Sequence, residues 1–176
     1  MNPPSASTWS DDIHRTLTAH RIRQVAYVPD AGLARIIALS EKDPGMVTVS
    51  LTSEEEGVAL LAGAALGGER GVLLMQSSGV GNCVNMLTMI RTCRFPLLMI
   101  VTMRGEEGEF NPWQIPMGEA AADVLKLMGV RVFLADDSDT AGEIVDVAAR
   151  EVFATETAAA AVLISQRMIG IKSFEQ

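Results

Sequence analysis

Pro96-Leu97-Leu98-Met99-Ile100-Val101-Thr102 is almost wholly apolar. It lacks the in-out alternation of a half-exposed strand and reads as a strand covered on both faces. Shorter apolar runs of the same kind stand at 24–28, 46–50, 71–76, 130–134 and 160–164. Helical patterns separate them, at 9–20, 31–39, 52–66, 81–91, 117–128 and 140–153. In the first, Ile13, Leu17 and Ile22 share a face. Buried strands alternating with helices predict an α/β fold, a three-layer αβα sandwich around a parallel sheet of about six strands. Ligands of such sheets sit beyond the carboxyl ends of the strands. Those ends are Pro29-Asp30, the stretch 50–54, the stretch 77–82 and Met103-Arg104-Gly105. The longest segment without a regular pattern, 103–116, follows one of them, and loops of that length are often functional.

The chain has 176 residues, one domain's worth, and 1–176 is read as a single domain. Its net charge of −8 disfavours binding to a phosphate backbone, so no nucleic-acid partner is expected. No apolar run reaches the roughly 18 residues of a membrane span. The start, Met1-Asn2-Pro3-Pro4-Ser5, lacks the basic and apolar regions of a leader. Cys83 and Cys93, placed on one helix, would stand ~15 Å apart, beyond the about 7 Å that a disulfide spans. Free thiols fit a cytoplasmic location.

The only histidines, His14 and His20, fall in the first helix, away from any strand end. A Ser-His-Asp or Cys-His system and a zinc cluster are therefore not expected. A chain so poor in catalytic side chains either performs no chemistry or borrows a cofactor. Ser53-Glu54-Glu55-Glu56 opens a helix, and two readings stand side by side. Ser53 and Glu56 could form a capping box, with the other acids favouring the positive helix end. Alternatively the acids could be buried: Ala59, Gly63 and Gly67 recur every four residues, and such a stripe invites a helix or ligand to approach closely. Gln76-Ser77-Ser78-Gly79-Val80-Gly81-Asn82 reads as strand, glycine turn and helix start, able to offer backbone N–H groups. Val84 stands where a dinucleotide fingerprint needs glycine, and no Gly-Lys-Ser/Thr follows. Asp30 reads as an N-cap for the following helix, and Arg104 as a solvated side chain or a cation for an anionic substrate. Glu106, Glu107 and Glu109 read as a solvated face.

In this order, these segments resemble the pyrimidine-binding domain of thiamine-diphosphate enzymes, and particularly the sulfopyruvate and phosphonopyruvate decarboxylase group. The resemblance rests on Val28-Pro29-Asp30, Ser53 through Ala59 with Ala62-Gly63, Met75 through Asn82 with Asn85, and Arg104-Gly105 with Gln114 and Pro116-Met117-Gly118. It implies that Glu54, nine residues before Gly63, hydrogen-bonds the cofactor's aminopyrimidine and relays one proton during decarboxylation of a 2-oxoacid to an aldehyde and CO2. Ser78, Gly79, Val80 and Gly81 would pack against the pyrimidine, with Asn82 and Asn85 just inside the next helix. Asp30 would lie near the substrate as a catalytic acid, and Arg104 and Gln114 would meet the substrate's anionic end. The family binds diphosphate and Mg2+ through a second domain type carrying Gly-Asp-Gly, which this chain lacks. The resemblance thus implies an α subunit, with no metal ligand of its own, completed by a β subunit in an α2β2 or larger assembly. A carboligase or lyase half of the same family, and a non-catalytic module of the same fold, stand as alternatives.

Overall fold

The computed structural model describes residues 8–155 and 158–170. The segment Met1–Ser5 lies outside the described residues, and the single-domain reading of 1–176 extends past them at both ends. Six strands form one sheet: β1 (Ile22–Tyr27), β2 (Val47–Ser50), β3 (Arg70–Gln76), β4 (Leu97–Thr102), β5 (Arg131–Ala135) and β6 (Ala159–Ile164). Their order is β2-β1-β3-β4-β6-β5 and every pair is parallel. The long apolar run occupies β4 near the middle, with Leu98 opposite Val72 on one side and Ala160 on the other.

Side chains alternate across the sheet. Val72, Leu74, Leu98, Ile100 and Val162 point to one face, where Ile13 and Leu17 of α1 (Trp9–Ala19), Ile36 of α2 (Ala34–Lys42) and Val145 and Val152 of α7 (Ala141–Thr155) cover them. Leu73, Met75, Met99, Val101 and Leu163 point to the other. There Val58 and Leu61 of α3 (Glu54–Leu66), Val80 of α4 (Ser77–Cys83), Ile90 of α5 (Thr88–Cys93) and Leu125 of α6 (Ile115–Leu127) meet them. Each large side chain buried this way contributes roughly 1.5–3 kcal/mol. The three-layer αβα sandwich read from the sequence is the observed fold. Among the described residues, no helix is long and apolar enough to cross a membrane.

The chain runs from β1 to β2 on one side, then crosses back to place β3 on the other. That reversal opens a crevice at the carboxyl ends of β1 and β3.

Three local expectations change. The helix expected at 81–91 is two. α4 starts at Ser77 directly after β3, so Ser78 to Gly81 are helical and no glycine turn intervenes. The ladder then tightens, because the N–H and the hydroxyl of Thr88 both bond the carbonyl of Asn85, at 3.2 and 2.7 Å. Cys83 and Cys93 are free as expected, one buried and one exposed, but on separate helices. α6 starts at Ile115 rather than Met117, with Pro116 in its first turn, where a missing N–H costs nothing. A short helix, α8 (Gln166–Ile169), gave no sequence signal.

α6 reaches the end of β4 by backbone contact. A Cβ built on Gly118 would lie 1.9 Å from the carbonyl oxygen of Arg104. Gly118→Ala should therefore destabilise the fold by about 3 kcal/mol in urea titration. Stability within about 0.5 kcal/mol of the parent would contradict this packing.

Candidate active site

Glu54 is the first residue of α3 and is only 7% exposed. Its carboxylate lies directly over Gly79 of α4. A Cβ at that glycine would sit 2.4 Å from Oε1 and 2.5 Å from Cγ and Cδ. Asn82, one helical turn further on, donates to Oε2 at 2.7 Å. Oε1 accepts no hydrogen bond within the described chain. Oε1 is not sealed from solvent, since among the described residues the buried side-chain polar atom without a partner is His14 Nε2, and the helix N-terminus favours a carboxylate at this position.

The capping box does not form at this helix. Glu56 accepts from the N–H of Thr52 at 2.9 Å rather than from that of Ser53, and the Ser53 hydroxyl donates to Glu55 at 2.6 Å. With Glu54 turned inward, its two neighbours take over the end of the helix. Cys83 lies nearby, and burial, then the charges of Glu54 and Glu55, push its thiol up to about 12. It is no nucleophile at neutral pH.

A second polar system occupies the crevice. Asp30 does not cap α2, whose N-cap is Leu33. Its Oδ1 accepts from Gln76 Nε2 at 3.0 Å, and its Oδ2 from Thr102 Oγ1 at 2.8 Å and the Gly32 N–H at 3.0 Å. The Ser78 hydroxyl donates to Gln76 Oε1 at 2.9 Å. Asp30 thus joins the carboxyl ends of β1, β3 and β4 and, through Gln76, the first turn of α4.

Arg104 follows β4, and its backbone N–H donates to Ser77 Oγ at 3.1 Å. Its guanidinium forks onto Glu109, with Nε 2.7 Å from Oε2 and a second bond from Nη2 to Oε1. It also lies 5.2 Å from the ring centroid of Phe110. Glu109 is not solvated as the sequence suggested. Its side chain is 2% exposed and also accepts from the N–H groups of Gly105 and Asn111 and from Gln166 Nε2. Glu106 is engaged too, by the Ser165 hydroxyl and the Gln166 N–H; only Glu107 is exposed. The loop had to satisfy its own backbone donors, and these two acids do so. Arg104, Asp30, Thr102, Phe110, Gln166 and Ile169 line a cavity of about 30 Å³, with room for about one water.

The structure therefore brings Glu54, Gly79 and Asn82 together, and joins Asp30 with Ser78 and, across one small cavity, with Arg104. Val80 turns its side chain into the core, while Gly81 is exposed beside Met117. Asn85 lies in the turn after α4, not within that helix, and among the described residues its side chain makes no hydrogen bond. Gln114 ends a 3-10 turn (Pro112–Gln114) and meets Gly105 through its carbonyl. Gln76, Thr102 and Gln166 carry no site role in the sequence reading, and Glu109 reads there as solvated. Gln76 and Thr102 end strands and were legible in principle. Gln166 gave no signal, because it reaches Glu106 and Glu109 across about 60 residues of chain. Among the described residues, no group of acids, histidines and cysteines could hold a metal ion.

Residues 7–111 match the family model described as thiamine pyrophosphate enzyme, N-terminal TPP binding domain. The chain is 37% identical over 128 residues to the sulfopyruvate decarboxylase subunit alpha of Methanothermobacter thermautotrophicus, covering 70% of this chain and 78% of that one. It is 36% identical over 129 residues to the phosphonopyruvate decarboxylase of Streptomyces viridochromogenes, covering 72% of this chain and 32% of that one. In three dimensions it resembles the 2-oxoglutarate:ferredoxin oxidoreductase of Magnetococcus marinus, with a TM-score of 0.73 at 14% identity, over 93% of this chain and 29% of that one. That likeness concerns the fold alone.

The Arg104 fork, then the N–H groups of Asn111 and Gly105, hold the Glu109 carboxyl down at about 2, from an ordinary 4.5. A depressed native value stabilises the fold fully above about pH 4.5, and the contribution is lost as pH falls toward 2. Glu109→Gln should remove that share of acid sensitivity. It should also cost about 3 kcal/mol at neutral pH, since Arg104 stays largely buried without its counter-charge. Denaturation at neutral pH and near pH 3.5 measures both effects; identical acid sensitivity in parent and variant would contradict the pairing.

Proposed function

Because this chain belongs to the thiamine pyrophosphate enzymes, through their N-terminal TPP-binding domain, we propose that it is the α subunit of a split thiamine-diphosphate-dependent 2-oxoacid decarboxylase. Its substrate is sulfopyruvate- or phosphonopyruvate-like, and its products are an aldehyde and CO2. Relatives over most of its length carry the name of an alpha subunit. The observation that carries the reading is the buried Glu54 carboxylate, fixed by Asn82 and Gly79, with Oε1 left open.

The residues present fit the cofactor's pyrimidine. Oε1 is an acceptor without a donor, and a protonatable ring nitrogen supplies the missing one. Gly79 is the only kind of residue that lets the carboxylate lie where it does, and exposed Gly81 and Asn82 leave the neighbouring helix face open. Thiamine diphosphate, when bound, supplies the nucleophilic carbon and the electron sink that decarboxylation requires. Glu54 holds and returns one proton at Oε1, while Asn82 keeps the other oxygen occupied and the carboxylate in one orientation. Asp30, held by three donors, presents a fixed negative charge in the crevice. Arg104, set in position by Glu109 and Phe110, is the cation that this reading assigns to a sulfonate or phosphonate tail. Gln114 contributes through the loop that carries Arg104. Ser78 and Val80 serve through the helix backbone, and Asn85 through the turn that ends it.

A β subunit in an α2β2 or larger assembly holds the diphosphate and Mg2+. The α3 face supports this: Ala59, Gly63 and Gly67 are exposed, nothing lies within 4 Å of a Cβ at Gly63, and Leu66 is 91% exposed. The whole chain, 1–176, serves as one pyrimidine-binding domain in the cytoplasm.

Mixed with its β subunit, thiamine diphosphate and Mg2+, the chain should convert sulfopyruvate or phosphonopyruvate to the aldehyde. Glu54→Gln should lower kcat at least about 100-fold. Full activity in that variant would overturn the proton relay. Carboligation products in place of the aldehyde would overturn the decarboxylase reading.

A further inference from the structure

The amino-terminal edge of the sheet differs in charge from the edge that carries Glu54 and Asp30. Arg21 precedes β1, while Arg70 and Arg131 open β3 and β5. Arg91 and Arg94 close α5 just before β4. Arg91, Arg94 and Arg131 surround one cleft of about 470 Å³, with Gly129 and Ala158 in its wall and, among the described residues, no carboxylate in its lining. Gly129 has φ 84°, and a Cβ built there would be in ordinary contact with Arg91 Cδ at 3.8 Å, so the Arg91 side chain runs along the cleft beside it. Arg131 meets Glu151 at 2.6 Å. Among the described residues, the side chains of Arg91 and Arg94 meet no acid. With Arg131 paired to Glu151, Arg91 and Arg94 remain as two guanidiniums beside the same cleft, and an anion there would relieve their repulsion; this occurs in a chain whose net charge is −8.

Arg94 carries a second observation. It follows α5 in the left-handed region, with φ 53°. Glycine occupies such a position without strain, and an arginine there is strained. The backbone is thus held in a conformation unfavourable to the side chain that points the cation into the cleft. Arg94 also lines an adjoining cavity of about 270 Å³, whose walls include Leu66, Phe95 and Phe153. Glu69 and Arg70 line that cavity too, so the combined space has a cationic end and a mixed one, with the Phe95 and Phe153 rings beside charged groups.

We propose that this edge of the sheet is a second ligand site, which binds the phosphate or diphosphate group of a small molecule between Arg91, Arg94 and Arg131. Guanidinium forks match tetrahedral oxyanions, and two or more charges on the ligand balance the cluster. The adjoining cavity, where Phe95 and Phe153 stand beside Glu69 and Arg70, takes the body of the ligand. The site stands at the opposite end of the strands from Glu54, so its occupant is not the reacting 2-oxoacid.

Inorganic diphosphate, titrated by calorimetry into the full chain at low salt, tests this. It should bind saturably at one site, and Arg91→Ala and Arg94→Ala should each weaken binding about tenfold or more, the equivalent of about 1.4 kcal/mol. Arg167→Ala, which removes a cation at the opposite edge, should leave binding unchanged. Arg94→Gly should weaken binding while raising the melting temperature, because it relieves the left-handed strain. The proposal is overturned by non-saturable binding, by equal weakening in Arg167→Ala, or by an Arg94→Gly variant that binds like the parent.

Discussion

The architecture of the carboxyl edge depends on placing one carboxylate, that of Glu54, where water scarcely reaches it. The placement needs the first turn of α3 to supply the positive end of a helix. It needs a glycine on α4, because any side chain at position 79 would occupy the space of the carboxyl group. It also needs Asn82 one turn further along to satisfy one of the two oxygens. α3 in turn lies close on the sheet through Gly57, where a Cβ would come 2.5 Å from Leu73 Cδ1. The core contacts of Val58 and Leu61 then fix the helix against the strand that launches α4. Helix, strand and second helix are thus registered by glycines on either side of a single acid.

The other polar system is built on a different principle. Asp30 and Glu109 are acids whose acceptor capacity is filled from within the chain, by strand-end side chains in one case and by Arg104 and loop backbone in the other. Filled acids stay where they are put. They hold the ends of β1, β3 and β4 and the loop after β4 in one arrangement, and they leave Glu54 as the buried acid with an oxygen to spare. The division of labour is electrostatic and positional: one open carboxylate for a proton, two occupied ones for shape.

Much of this was legible in the sequence. The strands at 71–76, 96–102 and 160–164 lie within one residue of β3, β4 and β6, because strands buried on both faces have no solvent side to blur their pattern. The two edge strands, β2 and β5, are partly exposed, yet their bounds also moved by only a residue. α4 was less legible. Gly79 and Gly81 suggested a turn because glycine weakens helices, whereas here the contact with Glu54 requires glycine at 79, Met117 leaves only close room at 81, and the helix forms despite the propensity. The Glu54 cluster was ambiguous for a related reason: a capping box and a buried relay share one sequence pattern, and only the inward rotation of the first acid separates them. Glu109 was misread as solvated because a run of acids in a loop usually is. Its partner Arg104 is five residues away, but the donors that bury it come from Gly105, Asn111 and the distant Gln166. Polar networks that close across the fold leave no periodic trace.

The central claim is that this chain supplies the proton-relaying half of a cofactor site and a second chain supplies the rest. Calorimetric titration of thiamine diphosphate with Mg2+ tests it most directly, into this chain alone and into this chain mixed with its β subunit, both carrying Arg91→Ala and Arg94→Ala so that the amino-terminal edge of the sheet takes up no diphosphate. The account predicts saturable binding in the mixture and none with the isolated chain. Tight binding to the isolated chain, or no binding by a mixture whose subunits associate, would contradict it.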